Sequence, residues 1–150
     1  MTVGRICSRV MASASSRETI RAAAQKMAAH AVGTLVVLDA TDGAERLGIV
    51  TDRDIVIRCV AAGLDPDRDP IGAVTTRPVH CVDEQTPVED AMQQMAKAGT
   101  RRLVVLGESG RPVGVLSLDD VLDLLADETG AIGRLLATQQ SRLPATIGAH

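Results

Sequence analysis

The chain contains an internal repeat, and this repeat restricts its possible folds more than any other feature. When the sequence is shifted by 68 residues, its first half aligns with its second half. Residues 35–38 and 103–106 both read LVVL, and AAAQKMA at 22–28 aligns with DAMQQMA at 90–96. Each copy is longer than a usual solenoid repeat, and two copies are too few for a solenoid. The repeat therefore indicates a duplicated domain within 150 residues.

A second phrase also occurs in both copies. GIVTDRDIV at 48–56 and GVLSLDDVL at 114–122 share a Gly, two apolar residues, a hydroxyl residue, two spacers, an Asp and an apolar residue. The hydroxyl residue and the Asp have the spacing of a helix capping box. A helix N-terminus that follows a strand directly is also a place where backbone N–H groups bind anions. The phrase is therefore compatible with a structural role and with a ligand-binding role.

The first part of each copy predicts an extended arm and a helix. The arms span 3–14 and 71–82, and the helices span about 17–30 and 86–98. At the second helix, Thr86 is a predicted N-cap, followed by Pro at the first helical position and a capping Glu89. Apolar residues recur with helical spacing in both helices: Ile20, Ala24, Met27 and Ala28 in the first, and Val88, Met92, Met95 and Ala96 in the second. Met27 and Met95 are expected in the core.

The second part of each copy predicts a hairpin and another helix. TLVVLD and RLVVLG read as buried strands, and RLGIV and PVGVL read as their partners. The turns between them are predicted at Asp42-Gly43 and Ser109-Gly110. The second helix of each copy is predicted to begin at Thr51 or Ser117. The predicted fold class is α+β, with β-α-β-β-α units in duplicate.

These patterns divide the chain into four parts. Unit 1 covers 3–60, an Asp- and Pro-rich connector covers 61–70, and unit 2 covers 71–126. Residues 127–150 are predicted to form a third, amphipathic helix and a frayed tail. The apolar residues of that helix are Ile132, Leu135 and Leu136.

Composition excludes several classes of function. The net charge is −3, there is no run of Lys or Arg, and Phe, Tyr and Trp are absent, so neither phosphate neutralisation nor base stacking supports a nucleic-acid partner. Cys7, Cys59 and Cys81 lack CxxC spacing and indicate reduced thiols in the cytoplasm. His30, His80 and His150 form no metal pattern. We expect no signal peptide, no membrane span and no enzyme, since no Walker loop, nucleophile elbow or HExxH is present.

The duplication, the element order and the phrase G-h-h-[ST]-x-x-D-h (h for apolar) together resemble the cystathionine-β-synthase (CBS) domain pair, or Bateman module. The resemblance covers about 3–126 and is closest to small stand-alone bacterial CBS-pair proteins, including the hypoxic-response type. It implies two units packed sheet to sheet about a pseudo-twofold axis, and chains that form homodimers.

The resemblance also implies binding residues for an adenosine-containing ligand. Asp54 and Asp120 would receive the ribose hydroxyls, and Thr51 and Ser117 would help to hold phosphate. Independently of the resemblance, Gly48 and Gly114 are expected to let another group come close to the backbone. The adenine would lie between aliphatic side chains, because the chain has no aromatic residue. The candidates are Ile49, Val50, Val115 and Leu116, with ordinary core packing as the alternative for each.

The predicted sites are unequal. Arg101 and Arg102 precede the second LVVL, where the family often presents basic side chains to phosphate, although a solvated pair at a strand start is an alternative. The first copy has Gly33 and Thr34 at the same positions. Unit 1 therefore contributes no basic pair.

Two functions follow from these observations. The first is a non-catalytic regulatory module that binds AMP, ADP, ATP, S-adenosylmethionine or NAD(H) in the cleft between the units and signals in trans to an unidentified effector protein. The second is a ligand-free dimeric scaffold, in which the S/T-x-x-D motifs are only helix caps. No cofactor is obligatory under either interpretation.

Overall fold

The computed structural model describes residues 1–9, 12–41 and 44–141. The first half comprises α1 (Val3–Ile6), β1 (Ser13–Ala14), α2 (Ile20–His30), β2 (Thr34–Thr41), β3 (Ala44–Thr51) and α3 (Asp52–Asp54), which continues as a π-helical segment over Ile55–Val60. The second half comprises a 3-10 turn (Ile71–Val74), β4 (Cys81–Asp83), α4 (Val88–Ala98), β5 (Arg102–Leu106), β6 (Pro112–Ser117) and α5 (Leu118–Ser141). The predicted α+β class with duplicated units is confirmed.

Each half forms one three-stranded sheet. The strand orders are β1-β2-β3 and β4-β5-β6, and in both sheets the first pair is parallel and the second antiparallel. Leu35 and Val37 of β2 lie in the core beneath α2, whereas Val36 is fully buried outside that core. Because side chains alternate along a strand, Val36 lies on the opposite face of its sheet. It lines a cleft together with Val115 of the other sheet, so the two sheets face each other there.

The N-terminal arms cross between the halves. Val3 is buried in the core of the second half, whereas Ile71 and Val74 are buried in the core of the first half. Ser8 forms an antiparallel bridge with Val115, and Thr76 forms the corresponding bridge with Ile49. Each half therefore completes the core of the other.

The prediction of wholly extended arms is wrong. Residues 3–6 form a helical turn and residues 71–74 form a 3-10 turn, and only the short strands β1 and β4 pair with a sheet. Each helical turn places apolar residues in the core of the other half: Val3 in the second core, and Ile71 and Val74 in the first core. No local sequence pattern reports this contact.

The helical stripes are confirmed in part. Met27 and Met95 lie in the core at 6% and 5% exposure. Ala23 and Ala91 are fully buried, however, whereas Met92 is 39% exposed and Ala28 and Ala96 are exposed. Ala23 and Ala91 thus take the buried positions that were predicted for Ala24 and Met92, one residue later in each helix. The small Ala side chain allows each helix to approach its sheet.

The predicted capping box at Thr86 is wrong. The N-cap of α4 is Pro87, without a side-chain hydrogen bond, and the N–H of Val88 donates to the carbonyl of Met1 at 3.1 Å. The first arm thus accepts the hydrogen bond of a backbone N–H group at the helix N-terminus, where the sequence predicted capping by the Thr86 side chain. At α2, the Thr19 hydroxyl does accept from the N–H of Ala22, at 3.1 Å.

The hairpin and C-terminal predictions have separate outcomes. Gly110 has φ 72° and donates its N–H to the carbonyl of Gly107 at 2.8 Å, which confirms a turn there, and Asp42-Gly43 lies outside the described residues. The amphipathic segment predicted from residue 127 is a continuation of α5, so the predicted boundary after 126 falls inside a helix. No helix in the described part of the chain combines the length and apolar character needed to cross a membrane.

Candidate functional site

Both repeated phrases form capping boxes at strand-to-helix junctions. The N–H and the hydroxyl of Thr51 donate to Asp54 Oδ2 at 2.9 and 3.0 Å, and the N–H of Asp54 donates to the Thr51 hydroxyl at 3.2 Å. At the second junction, Ser117 donates to Asp120 Oδ2 twice at 2.7 Å, and the N–H of Asp120 donates to the Ser117 hydroxyl at 3.2 Å. Each cap uses one carboxylate oxygen, so the other oxygen is available to a different partner.

The second oxygens of the two carboxylates differ in what they contact. Asp54 Oδ1 lies 3.8 Å from Nε of Arg58. Asp120 Oδ1 has neither a hydrogen bond nor an ion pair with any residue that the structure describes. Asp120 therefore presents a carboxylate oxygen to its surroundings.

Those surroundings are a cleft of about 250 Å³ between the two halves. This volume is just below the range of about 300–1,000 Å³ that is usual for small-molecule sites. The cleft brings together six of the predicted site residues with six others; its lining residues are Ser8, Ala12, Ala31, Val32, Gly33, Thr34, Val36, Arg102, Val115, Ser117, Asp119 and Asp120.

A second cleft, of about 520 Å³, adjoins the first and shares Arg102, Ser117 and Asp119 with it. It is also lined by Asp52, Arg53, Arg101 and Leu118. In the described part of the chain, the guanidinium groups of Arg53 and Arg102 form no ion pair, whereas Arg101 lies 3.8 Å from Asp119 with both side chains well exposed. This second cleft can therefore receive an anionic group beside the N-terminus of α5.

The remaining predicted site residues lie elsewhere. Thr51, Asp54 and Ile49 belong to the first junction and do not line either cleft. Val50 and Leu116 are fully buried in the two cores, which is the core alternative that the sequence left open for them. Alternation along the strand explains the difference, because Ile49 and Val115 lie on the face opposite to the cores.

The two glycines of the repeated phrase lie where the crossing arms pass close to the strands. A Cβ atom built on Gly114 would lie 2.6 Å from the carbonyl oxygen of Ser8, and one on Gly48 would lie 2.4 Å from the Thr75 methyl carbon. The crossing arms, not a ligand, approach the strands at these positions. The expected close approach to the backbone is therefore present, and the chain itself makes it.

Sequence reasoning did not name Ser8, Ala12 or Val36 as cleft residues. Ser8 could have been identified from the repeat, since it aligns with Thr76 in the second copy and both are hydroxyl residues. Val36 could have been identified too, since strand alternation separates it from the core residues Leu35 and Val37. No such pattern identifies Ala12.

Two of the three cysteine thiols have a raised pKa in the structure. Burial raises the pKa of the Cys7 thiol, and the Asp120 carboxylate adds to this rise, whereas Arg9 opposes it. Burial also raises the pKa of the Cys81 thiol. Over the described residues, no three His, Cys, Asp or Glu side chains are placed to hold a metal ion.

Comparisons with known sequences agree with this architecture. The chain matches the CBS domain over residues 3–60 and 71–127. It is 32% identical over 124 residues to an uncharacterized protein of Methanopyrus kandleri, covering 83% of this chain and 62% of that protein. It is 36% identical over 104 residues to Hypoxic response protein 1 of Mycobacterium tuberculosis, covering 69% of this chain and 71% of that protein.

Two solved structures are similar to this one. A CBS domain protein from Pyrobaculum aerophilum, complexed with AMP, has a TM-score of 0.67 and 32% identity, covering 80% of this chain and 89% of that chain. Hypoxic Response Protein I, with two coordinated zinc ions, has a TM-score of 0.67 and 33% identity, covering 82% of this chain and 98% of that chain. Proteins with paired CBS domains are commonly regulatory and not catalytic. With its two matched segments, crossing arms and facing sheets, the chain belongs to the CBS domain family as a tandem pair.

Proposed function

We propose that the chain is a non-catalytic regulatory module that binds an adenosine-containing ligand in the cleft between its two CBS units. The observation that carries this proposal is Oδ1 of Asp120, which has no partner among the described residues. Asp120 lines the cleft of about 250 Å³ between the two halves. A carboxylate that already accepts two hydrogen bonds on Oδ2 is held in a fixed orientation. Its remaining oxygen can accept hydrogen bonds from the hydroxyls of a ribose, at about 1.5–3 kcal/mol each.

The rest of the cleft suits a nucleotide. Ala12, Val36 and Val115 provide apolar walls for a purine, and the cleft with Arg53 and Arg102 adjoins the Asp120 side for a phosphate group. The relative from Pyrobaculum aerophilum that binds AMP is 32% identical to this chain, which supports a purine nucleotide as the ligand class. AMP, ADP, ATP, S-adenosylmethionine and NAD(H) are all candidates within that class.

The output of such a module must pass to another molecule. Binding between the halves favours whichever arrangement of the two sheets the ligand contacts best, and a ligand shifts an equilibrium only by such a preference. We infer that the chain acts as a homodimer and signals in trans to an effector protein. The exposed apolar residues of α5 support the dimer, because Leu122 and Leu125 are 52% and 46% exposed.

Thermal unfolding with a panel of adenosyl compounds tests the proposal. At a concentration about 100-fold above the Kd, a ligand stabilises the folded protein by about 2.7 kcal/mol, which raises the Tm by roughly 5–10 °C. We expect Asp120→Asn to remove this shift. The single amide oxygen would accept the hydrogen bonds of the cap, and an NH2 group, which cannot accept from the ribose hydroxyls, would replace Oδ1. Asp54→Asn is the matched control, since it weakens the same type of cap by a similar amount, about 1 kcal/mol, at the other junction.

The ligand-free scaffold is the second candidate, and the two capping boxes favour it, because they give both carboxylates a structural role. The two functions predict different spectra. The chain has no Trp, Tyr or Phe, so a co-purified nucleotide would dominate the absorbance of the protein near 260 nm. If no compound of the panel shifts the Tm and no such absorbance is present, the scaffold is correct and the regulatory proposal is wrong.

A further inference from the structure

The first junction contains an arginine that the second junction lacks. Nε of Arg58 lies 3.8 Å from Asp54 Oδ1, the oxygen that corresponds to the free oxygen of Asp120. Nη1 of Arg58 donates to the Thr76 hydroxyl at 3.2 Å and approaches the Val74 carbonyl at 3.4 Å. The guanidinium thus bridges the helix after β3 to the arm that crosses from the second half.

The same positions are open at the second junction. Thr76 corresponds to Ser8, which lines the cleft and whose hydroxyl has no hydrogen bond with a described residue. Arg58 corresponds in sequence to Leu124, a partly buried residue packed against the second core. The second junction therefore has no cation in the place that Arg58 occupies at the first.

We propose that Arg58 occupies the position of the ligand's sugar at the first junction, so that the chain binds one nucleotide and not two. This inference rests on the proposed function, because it assigns which of the two carboxylates is open. The guanidinium lies within ion-pair distance of Asp54 Oδ1 and donates a hydrogen bond to the Thr76 hydroxyl, so it stands beside the two groups that a ribose diol would use. Arg58 is thus the residue that determines which site accepts ligand.

The location of Arg58 supports this role. Its side chain is 48% exposed, and the Asp54 side chain is 20% exposed, so the ion pair lies at the surface. Removing an exposed pair changes the stability of the fold little, but it frees Asp54 Oδ1 and the Thr76 hydroxyl together. The first junction would then present the same two types of group as the second.

Counting bound AMP tests the inference. Equilibrium dialysis with AMP, read at 260 nm, reports nucleotide per chain directly, because the chain has no aromatic side chain. We expect the wild-type protein to bind one AMP per chain and Arg58→Ala to bind two. The affinity of the first event should change by no more than about twofold, because Arg58 does not line the cleft at Asp120. Arg58→Gln should give the same count and serves as a second variant if the alanine substitution impairs folding.

Two controls isolate the role of Arg58. Arg68→Ala removes an equally charged residue from a comparable exposed pair, with Asp65 at 3.7 Å, and should leave the count at one. Arg58→Ala combined with Asp54→Asn should return the count from two to one. A folded Arg58→Ala protein that still binds one AMP, or a wild-type protein that binds two, overturns the inference and leaves the proposed function intact.

Failure of the proposed function gives a different result. If the wild-type protein binds no AMP but Arg58→Ala binds one, the Asp120 site is wrong and the inference about Arg58 holds. If neither protein binds any compound of the panel (AMP, ADP, ATP, S-adenosylmethionine or NAD(H)), both are overturned.

Discussion

At the residue scale, one carboxylate per junction serves two purposes. Oδ2 of Asp54 or Asp120 completes a helix cap, and Oδ1 is left for a second partner, which at Asp54 is Arg58. The cap therefore does not compete with a ligand for the same oxygen, and it holds the carboxylate in one orientation. The structural and the binding interpretations of the repeated phrase are compatible at Asp120.

A different carboxylate, Asp39 on β2, links the two halves. It accepts a hydrogen bond from the N–H of Ser16 at 3.0 Å and one from Nη2 of Arg77, on the second arm, at 2.7 Å. Hydrogen bonds from Ser16, and then from Arg77, lower the pKa of Asp39 below its ordinary value. A lowered pKa in the folded state stabilises the fold above the ordinary pKa, and this stabilisation is lost as the pH falls through the folded-state pKa.

We therefore expect Asp39→Asn to lower the free energy of unfolding at neutral pH by up to about 1 kcal/mol. The difference from the wild-type protein should shrink as the solution is acidified through the range below the ordinary pKa of an aspartate. Urea unfolding at a series of pH values measures it. Asp127→Asn, on the exposed surface of α5, controls for net charge. A difference that stays constant down to strong acid would contradict the assigned role of the charge.

At the element scale, the crossing arms hold the two sheets together. Ser8 exchanges two backbone hydrogen bonds of 3.0 Å with Val115, directly beside Gly114. No side chain fits between Gly114 and the Ser8 carbonyl. This close contact sets the position of Ser8 at the cleft.

We expect Gly114→Ala to destabilise the protein by about 1–3 kcal/mol, because the added methyl group forces backbone, not a flexible side chain, to move. It should also weaken nucleotide binding, since Ser8 lines the cleft. Gly133→Ala on α5 is the matched control: its Cβ would meet no atom within 4 Å, and Ala should stabilise the helix by up to about 1 kcal/mol. Denaturant unfolding of both variants measures the difference. A Gly114→Ala protein as stable as the wild type would show that the arm can move away from Gly114 without lowering the free energy of unfolding.

At the scale of the whole molecule, α5 extends well past the second core. Val121 is buried at its start, whereas Ile132, Leu135 and Leu136 are 59%, 59% and 54% exposed. These three residues lie on one side of the helix, which is the arrangement that buries well against another chain.

We expect the wild-type protein to sediment with about twice the mass of the 15.7 kDa chain. Ile132→Glu should shift it towards the monomer without loss of helical content, because a charge replaces an apolar contact in the interface. Ala137→Glu, on the opposite side of α5, should leave the dimer intact. A wild-type protein that is monomeric at micromolar concentration would refute the dimer.

Much of the fold could be predicted from local patterns. Three local features carry this prediction: the apolar LVVL runs, the helical spacing around Met27 and Met95, and the capping boxes at Thr51 and Ser117. Each depends on residues close together in the chain. Such features need no knowledge of the partner that packs against them. The grouping of Arg102, Ser117 and Asp120 at one site could also be predicted, because the family motif specifies it.

The duplicated sequence by itself determined that the chain forms two similar α+β units with a capped helix after each hairpin, because these features arise from local periodicity and hydrogen bonding. Only the tertiary structure decided that the arms exchange between the cores and that the glycines accommodate those arms. It also decided that Arg58 pairs with Asp54 while Asp120 Oδ1 stays free of described partners. These outcomes depend on where backbone and side chains from distant parts of the chain meet. Two copies of the same motif can therefore have different contacts although their sequence patterns are the same.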